Sequence, residues 1–538
     1  MTRGWILILL GVALGLRCYR IHYGLPALYD PDEVIPVTSA GSMLAHLSLN
    51  PHWFGHPAST LIYLLCLIYG LGYGVGHWLG YFPDPAYFRA WYDWDPSFFY
   101  LSGRLLCACI GAVSILPLYF IGKKLWGKSA GLIAAFGLAL CPEHLSLSRE
   151  LRCDVLLTLL ILAIAVVCIQ LATLRRWQEY ALAGFLAGLA TATKYPGIIA
   201  MVMIFVAHGN PFRQQARSGM KLGIAGLSCL IGIFVGSPFL LPEFRSAWAE
   251  LGPEGWSPHL GMVGAGWSSN LWWYLSGSVE RSLGGLGSLI ALFGGLSLFR
   301  SPIAGTKILV IFPLVFLGAL SLLPLHWERW ALPVLPFGYL WFCAGWLAVE
   351  ARVRKQASEK WAGRSWAWSV FLPVIVLSLW LIPSQWRLLQ QRSGEDTRAQ
   401  AARWILQNIP VGSRLLMEWY APELPKDIFR YYANELTVIP ACLDPRKRNY
   451  RPTNIVGRLE DISSLFRLGV EYVVLSDLWD RQRETASSTD FSQNSISSYQ
   501  QIDRIGTKVY EVRAVPGRNQ GPSIRIYHLP SSPPLAKN

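Results

Sequence analysis

The sequence predicts a mainly α-helical polytopic membrane protein with a small α/β domain at its C-terminal end. Of its 538 residues, 53% are hydrophobic and only 15% are charged, whereas soluble domains have roughly 25% charged residues. About eleven apolar runs indicate membrane spans, each of which needs roughly 20 residues. After residue 386 these runs give way to short helix and strand patterns. Together these observations exclude wholly soluble, fibrous and disordered chains.

The apolar runs between residues 5 and 382 are separated by polar connectors and predict about eleven transmembrane helices. The first run follows Arg3, and no small-residue cleavage site follows it, so we expect a signal anchor rather than a cleaved signal peptide. The runs cover residues 5–16, 105–121, 130–141, 155–174, 181–192, 196–207, 222–241, 283–299, 308–325, 331–349 and 368–382.

Basic residues mark alternate connectors between the runs. Lys and Arg in short loops stay on the cytoplasmic side, so we expect a multi-pass protein of the plasma (inner) membrane with a cytoplasmic N-terminus. The net charge of +14, from 47 Lys and Arg against 33 Asp and Glu, then reflects topology, and we expect no nucleic-acid partner. The basic connectors contain Lys123, Lys124 and Lys128; Arg175 and Arg176; Arg213, Arg217 and Lys221; Arg300 and Lys307; and Arg352, Arg354, Lys355, Lys360 and Arg364.

Residues 61–82 do not fit this alternation. The run lacks Asp, Glu, Lys and Arg and is long enough to span, yet a span here would move every later basic connector to the outer side. Its glycines and aromatic residues suit the membrane interface. We therefore expect interfacial helices, or a segment that dips in and returns, within a long first external loop. The alternative is a true span, with Arg17 and Arg20 placing the N-terminus outside.

The chain divides into a membrane domain, residues 1–386, and an extracytoplasmic α/β domain, residues 387–538. The second part alternates between helix and strand patterns, which is typical of a small α/β domain. It has no Gly-rich phosphate loop and no catalytic triad signature. Helices are predicted at residues 399–407 and 462–468, and strands at 414–418, 436–439 and 470–475.

Ionisable residues that this topology places outside gather at the ends of the apolar runs. An ionic residue at the bilayer centre costs about 2.5 to 3.5 kcal/mol, so a span end is a cheaper position. Snorkelling of a long side chain explains any single Arg there, but the whole set indicates a site. The set comprises Asp30, Asp32, Glu33, His52, His56, Arg104, Arg149, Arg152, Asp154, Lys194, Glu243, Arg245, His326, Glu328 and Arg329.

The composition of this set favours one kind of reaction. Asp32 and Glu33 are adjacent, which is a poor geometry for the two separated carboxylates of a glycosidase. A single carboxylate base among cations suits attack by a hydroxyl or amine and departure of an anionic group such as phosphate. Arg would bind that phosphate with forked donors and Lys with a point charge. For Asp30 and Asp32 the alternative role is turn formation around Pro31.

Several short motifs carry a family resemblance. They are Asp32-Glu33, Gly55-His56-Pro57, Arg104-Leu105-Leu106, Ser148-Arg149-Glu150-Leu151-Arg152-Cys153-Asp154 and Thr193-Lys194-Tyr195-Pro196-Gly197, with Asp396-Thr397-Arg398, Asn408-Ile409-Pro410 and Tyr472–Ser476 in the tail. In this order, and on one predicted side, they resemble the GT-C glycosyltransferases of the protein O-mannosyltransferase and aminoarabinose transferase type. The resemblance covers most of the chain.

The resemblance implies transfer of a hexose or pentose from a polyprenyl-phosphate donor to a lipid, glycan or protein acceptor on the extracytoplasmic face, with inversion at the anomeric carbon. Asp32, from the family's Asp-Glu pair, is the implied catalytic base. One position departs from the pattern, because the family often has two prolines after the His or Lys and Ala58 holds the second place here. The substrate-binding candidates are Glu33, His56, Arg104, Arg149, Arg152, Lys194 and Arg329.

We expect no metal and no cofactor. The ten cysteines show no C-x-x-C or Cys/His spacing and are expected to pack as small hydrophobic residues. Asp32, Glu33 and Asp154 could hold a hard divalent cation, but no recognised loop spacing requires one. Membrane lipids are the remaining expected partners.

Two other functions are compatible with a cationic outer side. A transporter or flippase of an anionic lipid-linked glycan would use the same cations without chemistry, but such proteins usually carry broken segments at mid-membrane and internal repeats. A membrane scaffold would leave the outer ionic residues unexplained. The sequence does not name the sugar or the acceptor, because related folds host many substrates.

Overall fold

The computed structural model divides the chain into two compact units. The first contains Met1–Ile21, Ile35–Gly255 and Gly264–Trp386, and the second contains His22–Val34 with the described part of Arg387–Asn538. Residues 22–34, predicted as part of the membrane domain, thus group with the C-terminal residues. The structure describes residues 2–27, 29–55, 58–209, 217–251, 264, 266–303, 305–356, 365–417, 421–422, 424, 430–433, 465–466, 469–477, 500–515 and 518–531.

The described residues are mainly helical. Two 3₁₀ segments, Tyr195–Ala200 and Glu328–Val334, and one π-helical turn, Leu275–Val279, lead into longer helices. The α-helices are α1 (Thr2–Cys18), α2 (Pro31–Ala45), α3 (Ser59–Trp78), α4 (Pro85–Trp94), α5 (Ser97–Val113), α6 (Ile115–Trp126), α7 (Lys128–Ala139), α8 (Pro142–Leu147), α9 (Cys153–Leu174), α10 (Trp177–Thr193), α11 (Met201–His208), α12 (Arg217–Gly236), α13 (Phe244–Leu251), α14 (Trp267–Tyr274), α15 (Glu280–Phe299), α16 (Ile308–Ser321), α17 (Leu335–Gln356), α18 (Ser365–Ser393) and α19 (Thr397–Asn408).

The helices confirm a polytopic membrane protein. Each predicted apolar run is helical over most of its length. Within the described ranges, seven helical stretches are long and apolar enough to cross a membrane: Ser59–Trp78, Ser97–Trp126, Cys153–Leu174, Gly219–Gly236, Trp267–Phe299, Glu328–Val353 and Phe371–Asn408. Four shorter apolar helices are Gly4–Cys18, Lys128–Ala139, Tyr195–His208 and Ile308–Ser321. The number of about eleven spans stays a prediction.

The helix α3 corrects one expectation about residues 61–82. These residues do not dip and return, because Ser59–Trp78 is a single continuous helix of 20 residues. By length and composition it is one of the helices that could cross a membrane. Its four alternate glycines have a low helix propensity, but they do not interrupt the helix. Packing of the apolar side chains between them stabilises it.

Glycines let α10 and α12 approach closely. A Cβ atom added at Gly184 would collide with the Ala225 carbonyl, and one at Gly188 with the Cys229 carbonyl. Gly184 and Gly188 are four residues apart and form the G-x-x-x-G pattern through which membrane helices pack backbone against backbone. This contact fixes the end of α10, which immediately precedes Lys194.

The second unit contains a five-stranded mixed sheet. Its strands are β1 (Arg414–Met417), β2 (Arg430–Ala433), β3 (Tyr472–Ser476), β4 (Thr507–Val512) and β5 (Ile524–His528), in the order β2-β1-β3-β5-β4. The strand β1 pairs in parallel with β2 and β3, whereas β5 is antiparallel to β3 and β4. This confirms the α/β class and the predicted elements at 399–407, 414–418 and 470–475. Residues 436–439 lie outside the described residues, as do most of 462–468.

Side chains alternate between the two faces of this sheet, as the period of a strand requires. Leu415 and Val474 pack with Ala401 and Ile405 of α19 on one face. On the other face Leu416, Val473 and Leu475 join a second buried cluster that contains Ile502 and Tyr527. Because both faces of β1 and β3 are buried, the sequences of these two strands are nearly continuous apolar runs.

Candidate active site

A buried ion pair joins the start of α9 to the end of α10. The Nζ atom of Lys194 lies 2.6 Å from Oδ1 of Asp154, and the two side chains are only 11% and 5% exposed. Asp154 is in the first turn of α9 and Lys194 follows the last residue of α10. A helix N-terminus favours an anion and a C-terminus favours a cation, so the two helix dipoles support this pair.

Two arginines complete a group of cations around Asp154. Arg152 and Arg329 both interact electrostatically with its carboxylate. The Nε atom of Arg152 also donates to Oε2 of Glu150 at 2.7 Å. The guanidinium of Arg329 lies 4.5 Å from the ring centre of Trp327, a cation–π distance. We call Arg152, Asp154, Lys194 and Arg329 the cationic cluster. The cluster has three positive charges and one negative charge. With the neighbouring Glu150 included, its net charge is +1.

Arg104 and Arg149 lie at the end of α1. The Nε and Nη2 atoms of Arg149 donate to the Leu16 carbonyl at 3.1 and 2.6 Å, and Nη1 of Arg104 donates to the Ile21 carbonyl at 3.0 Å. The last carbonyls of a helix lack intrahelical partners, and cations stabilise that end. Both buried arginines thus satisfy backbone oxygens at and beyond the end of α1. Their donor-binding role stays a prediction.

His56 lies outside the described residues, but its neighbours contact the residues that flank position 194. The N–H of Ala58 donates to the Thr193 carbonyl at 3.1 Å, and the hydroxyl of Tyr195 donates to the Phe54 carbonyl at 2.6 Å. Ala58 has a φ of +46°. Proline has no N–H, and its φ is held near −65°. A proline at this position could neither adopt a φ of +46° nor donate the hydrogen bond to Thr193. The departure from the family's second proline is therefore explained.

Asp32 and Glu33 belong to the second unit and lie in the first turn of α2. The carboxylate of Asp30 accepts the N–H of Asp32 at 3.0 Å, and its carbonyl accepts the N–H of Glu33 at 3.3 Å. Asp30 therefore caps the helix, and Pro31 at the first helical position is a favoured start. Asp30 thus has the alternative role that the sequence offered for Asp30 and Asp32, namely turn formation around Pro31. Asp32 is half-buried and Glu33 is buried.

Arg17 is a buried cation that the sequence did not single out as a site residue. Arg17 is completely buried, and its Nη2 lies 2.9 Å from Nδ1 of His144. Its Nη1 donates to the Ala139 carbonyl at 3.3 Å. A Cβ atom at Gly111 would lie 2.9 Å from Nε of Arg17, so glycine makes room for the guanidinium. In the sequence, the position of Arg17 directly after the apolar run 5–16 could have indicated a buried cation.

Two further ionic residues, Glu143 and Arg281, lie beside Glu328 and were not singled out from the sequence. Arg281 pairs with Glu328 and lies 4.0 Å from Oε1 of Glu143. Burial and, next to it, the negative charge of Glu328 raise the pKa of the Glu143 carboxyl to about 7, although Arg281 opposes the shift. Glu143 follows Pro142 at the start of a short helix, a context that resembles ordinary helix initiation, so its sequence gave no sign of this environment.

Replacing Glu143 by Gln is expected to stabilise the protein increasingly as the pH rises from 5 to 8. A carboxyl whose pKa is raised from its ordinary value near 4.5 to about 7 stabilises the fold below the lower value, and this contribution is lost as the pH passes the higher one. The variant avoids that loss, which we expect to be about 3 kcal/mol at pH 8, since one pKa unit corresponds to about 1.4 kcal/mol. Thermal unfolding of both proteins across this range measures it, and a pH-independent difference would contradict the assignment.

Among the residues that the structure describes, no three His, Cys, Asp or Glu side chains gather as metal ligands. The expectation of no metal and no cofactor stays a prediction.

Comparisons with known proteins support the fold. Residues 99–241 match the family model of dolichyl-phosphate-mannose-protein mannosyltransferase. No curated protein matches the chain in sequence. ArnT from Cupriavidus metallidurans in the apo state is 14% identical, with 97% of this chain and 98% of that chain covered and a TM-score of 0.51. Its structure bound to undecaprenyl phosphate has the same identity, coverage and TM-score of 0.51.

An archaeal protein has a comparable fold. The oligosaccharyltransferase of Archaeoglobus fulgidus in the apo form is 12% identical and has a TM-score of 0.52, with 92% of this chain and 72% of that chain covered. The chain therefore shares the fold of these membrane proteins, which are GT-C glycosyltransferases, and the fold implied by the resemblance of its motifs is confirmed. Within that class it is similar in fold to ArnT over nearly the full length of both chains.

Proposed function

We propose that this protein is an inverting glycosyltransferase that moves a sugar from a polyprenyl-phosphate donor to an acceptor on the extracytoplasmic face of the plasma membrane. The observation that carries the proposal is the cationic cluster, with its buried ion pair of Asp154 and Lys194 at the start of α9 and the end of α10, in a protein of GT-C fold. Burial of an ionic residue within a membrane helix bundle costs free energy, so such residues usually have a function. Undecaprenyl phosphate in the ArnT structure is a ligand of the matching chemistry.

In this proposal Asp32 is the base. It accepts the proton of the acceptor hydroxyl or amine while the acceptor atom forms a bond to the anomeric carbon. The bond between that carbon and the phosphate oxygen breaks at the same time, and polyprenyl phosphate leaves with the electron pair. A carboxylate is a weak base toward an alcohol, so proton transfer must accompany attack. The topology with a cytoplasmic N-terminus belongs to the same proposal.

The cations have two roles. Arg152 and Arg329 neutralise the departing phosphate, since each offers several donors in a fork that matches phosphate oxygens. Lys194 is held by Asp154, so it keeps the cluster positive and in place. In a partly dry site these charges are worth more than in water. Glu33, His56, Arg104 and Arg149 remain proposed contributors to substrate binding.

The proposal is tested with purified protein in lipid vesicles that contain an undecaprenyl-phosphate sugar and a mixture of lipid, glycan and peptide acceptors. We expect release of undecaprenyl phosphate and one glycosylated acceptor. Movement of the intact donor across the bilayer without cleavage would instead show a flippase and would overturn the proposal.

Replacing Arg152 by Gln is expected to weaken binding of undecaprenyl phosphate by roughly tenfold or more, because a charge-assisted hydrogen bond contributes about 1.5–3 kcal/mol. Lys128→Gln is the control, since Lys128 is an exposed basic residue at the start of α7. Binding is measured by titrating the lipid into protein in detergent. Equal weakening in both variants would show that only bulk charge matters, and no weakening would remove Arg152 from the donor site.

A further inference from the structure

A buried ion pair stands at the start of α19, in the second unit. The Nε and Nη2 atoms of Arg398 donate to Oδ1 and Oδ2 of Asp396, both at 2.9 Å. Oδ1 of Asp396 also accepts the backbone N–H of Arg398 at 2.7 Å and so caps the helix. The residues are only 4% and 7% exposed. Forked geometry and burial make this pair rigid compared with an ion pair on the surface.

The ion pair holds the segment that leads into α2. The Nη1 atom of Arg398 donates to the Tyr29 carbonyl at 3.1 Å, and the guanidinium lies 3.8 Å from the centre of the Tyr29 ring. The hydroxyl of Tyr23 donates to Oδ2 of Asp396. One residue pair thus contacts the segment at two points that are six positions apart in the sequence.

This contact ends next to the proposed base. Tyr29 is followed by Asp30, whose carboxylate accepts the N–H of Asp32. A continuous series of contacts therefore runs from the carboxylate of Asp396 through the guanidinium of Arg398 and the backbone of Tyr29 to the first turn of α2. Glu395, just before α19, and Arg403, within it, form an exposed ion pair that bonds to neither Tyr23 nor Tyr29.

We propose that Asp396 and Arg398 are positioning residues, which fix the entry of the chain into α2 and thereby the placement of the Asp32 carboxylate. The proposal rests on the proposed function, in which Asp32 is the base. It gives the C-terminal domain a part in catalysis: its first helix holds the backbone that carries the reacting group. A displacement of about 1 Å is enough to lower a rate roughly 100-fold, so a rigid hold on this backbone affects turnover without any contact to substrate.

The test compares Arg398→Gln and Arg398→Lys with the control Arg403→Gln in the full-length protein. We expect Arg398→Gln to lower kcat for sugar transfer by about 10- to 100-fold while the KM for the donor stays within about threefold. Arg398→Lys keeps the charge but cannot bond both carboxylate oxygens and the Tyr29 carbonyl, so we expect a smaller loss of kcat. Arg403→Gln should retain the parental kcat.

The decisive measurement repeats Arg398→Gln in an Asp32→Asn background, in single turnovers with radiolabelled donor. If Arg398 acts through Asp32, the second substitution causes no further loss. An equal proportional loss in both backgrounds would show a merely structural role and overturn the inference, as would an unchanged kcat in Arg398→Gln. If Arg398→Gln does not fold, Arg398→Lys enters the same comparison. Full transfer by Asp32→Asn alone would instead exclude Asp32 as the base and overturn this inference, whereas absence of transfer by the parental protein would overturn the proposed function.

Discussion

Replacing Asp32 by Asn is expected to lower kcat for sugar transfer by a factor of about 10² to 10⁴, the usual contribution of general base catalysis. Asn keeps the size of the side chain and its ability to accept a hydrogen bond, but it cannot take a proton at neutral pH. The half-buried position in the first turn of α2 is unchanged in this variant. The affinity for the donor should therefore stay within about threefold of the parental value. A loss that falls on kcat alone would identify an interaction made in the transition state.

A second Asp→Asn substitution controls for the change of charge. Asp84 lies near the start of another helix: it immediately precedes α4, and its carboxylate accepts the N–H of Tyr87 at 2.7 Å. Asn is an equally good cap, so Asp84→Asn should retain transfer. Steady-state kinetics with radiolabelled donor measure both variants. Transfer by Asp32→Asn at the rate of Asp84→Asn would exclude Asp32 as the base.

Much of the fold could be predicted because it follows from local pattern. The predicted apolar runs are helical, and the predicted strand at 414–418 is β1. In both cases the hydrophobic pattern that indicates the element lies within the element itself. The strand β5 was missed although Ile524, Ile526 and Tyr527 are buried, because the segment is short and Arg525 and His528 interrupt it. Glycine lowers local helix propensity, which favoured a segment that dips and returns within 61–82, but packing overrides propensity and Ser59–Trp78 is one continuous helix. Its place, in the interface or across the membrane, stays a prediction.

The site could be predicted only in part. Sequence reasoning placed Asp154 and Lys194 at span ends on the same side, but their pairing across 40 positions of sequence depends on how α9 packs on α10. The hydrogen bonds from Arg104 to the Ile21 carbonyl and from Arg149 to the Leu16 carbonyl are equally nonlocal. A charged residue at a span end thus indicates that a partner exists, whereas the identity of that partner is set by tertiary packing.

Replacing Asp154 by Asn is expected to destabilise the protein by about 3–5 kcal/mol, the cost of leaving a buried charge without its partner. The side chain of Lys194 is 11% exposed and has its 2.6 Å contact with this carboxylate. Arg152 and Arg329 interact with the same carboxylate, so its loss also leaves three cations to repel one another. Thermal or denaturant unfolding in detergent measures the effect.

Two comparisons separate the charge from the packing. Lys194→Met should cost less than Asp154→Asn, because Asp154 still interacts with two arginines when the lysine is gone. The double variant should recover much of the lost stability, since a buried pair replaced by residues of similar volume is often nearly neutral. Equal losses in the two single variants and an additive loss in the double variant would contradict the electrostatic explanation.

The same variant connects stability to ligand binding. A ligand that binds the folded state stabilises it according to its concentration and affinity, and a phosphate supplies the negative charge that Asp154→Asn removes. Undecaprenyl phosphate should therefore raise the unfolding temperature of Asp154→Asn by more than that of the parental protein, with undecaprenol as the uncharged control. If both proteins respond equally to the phosphate lipid, the lipid phosphate does not bind at the cationic cluster, and the donor site must lie elsewhere.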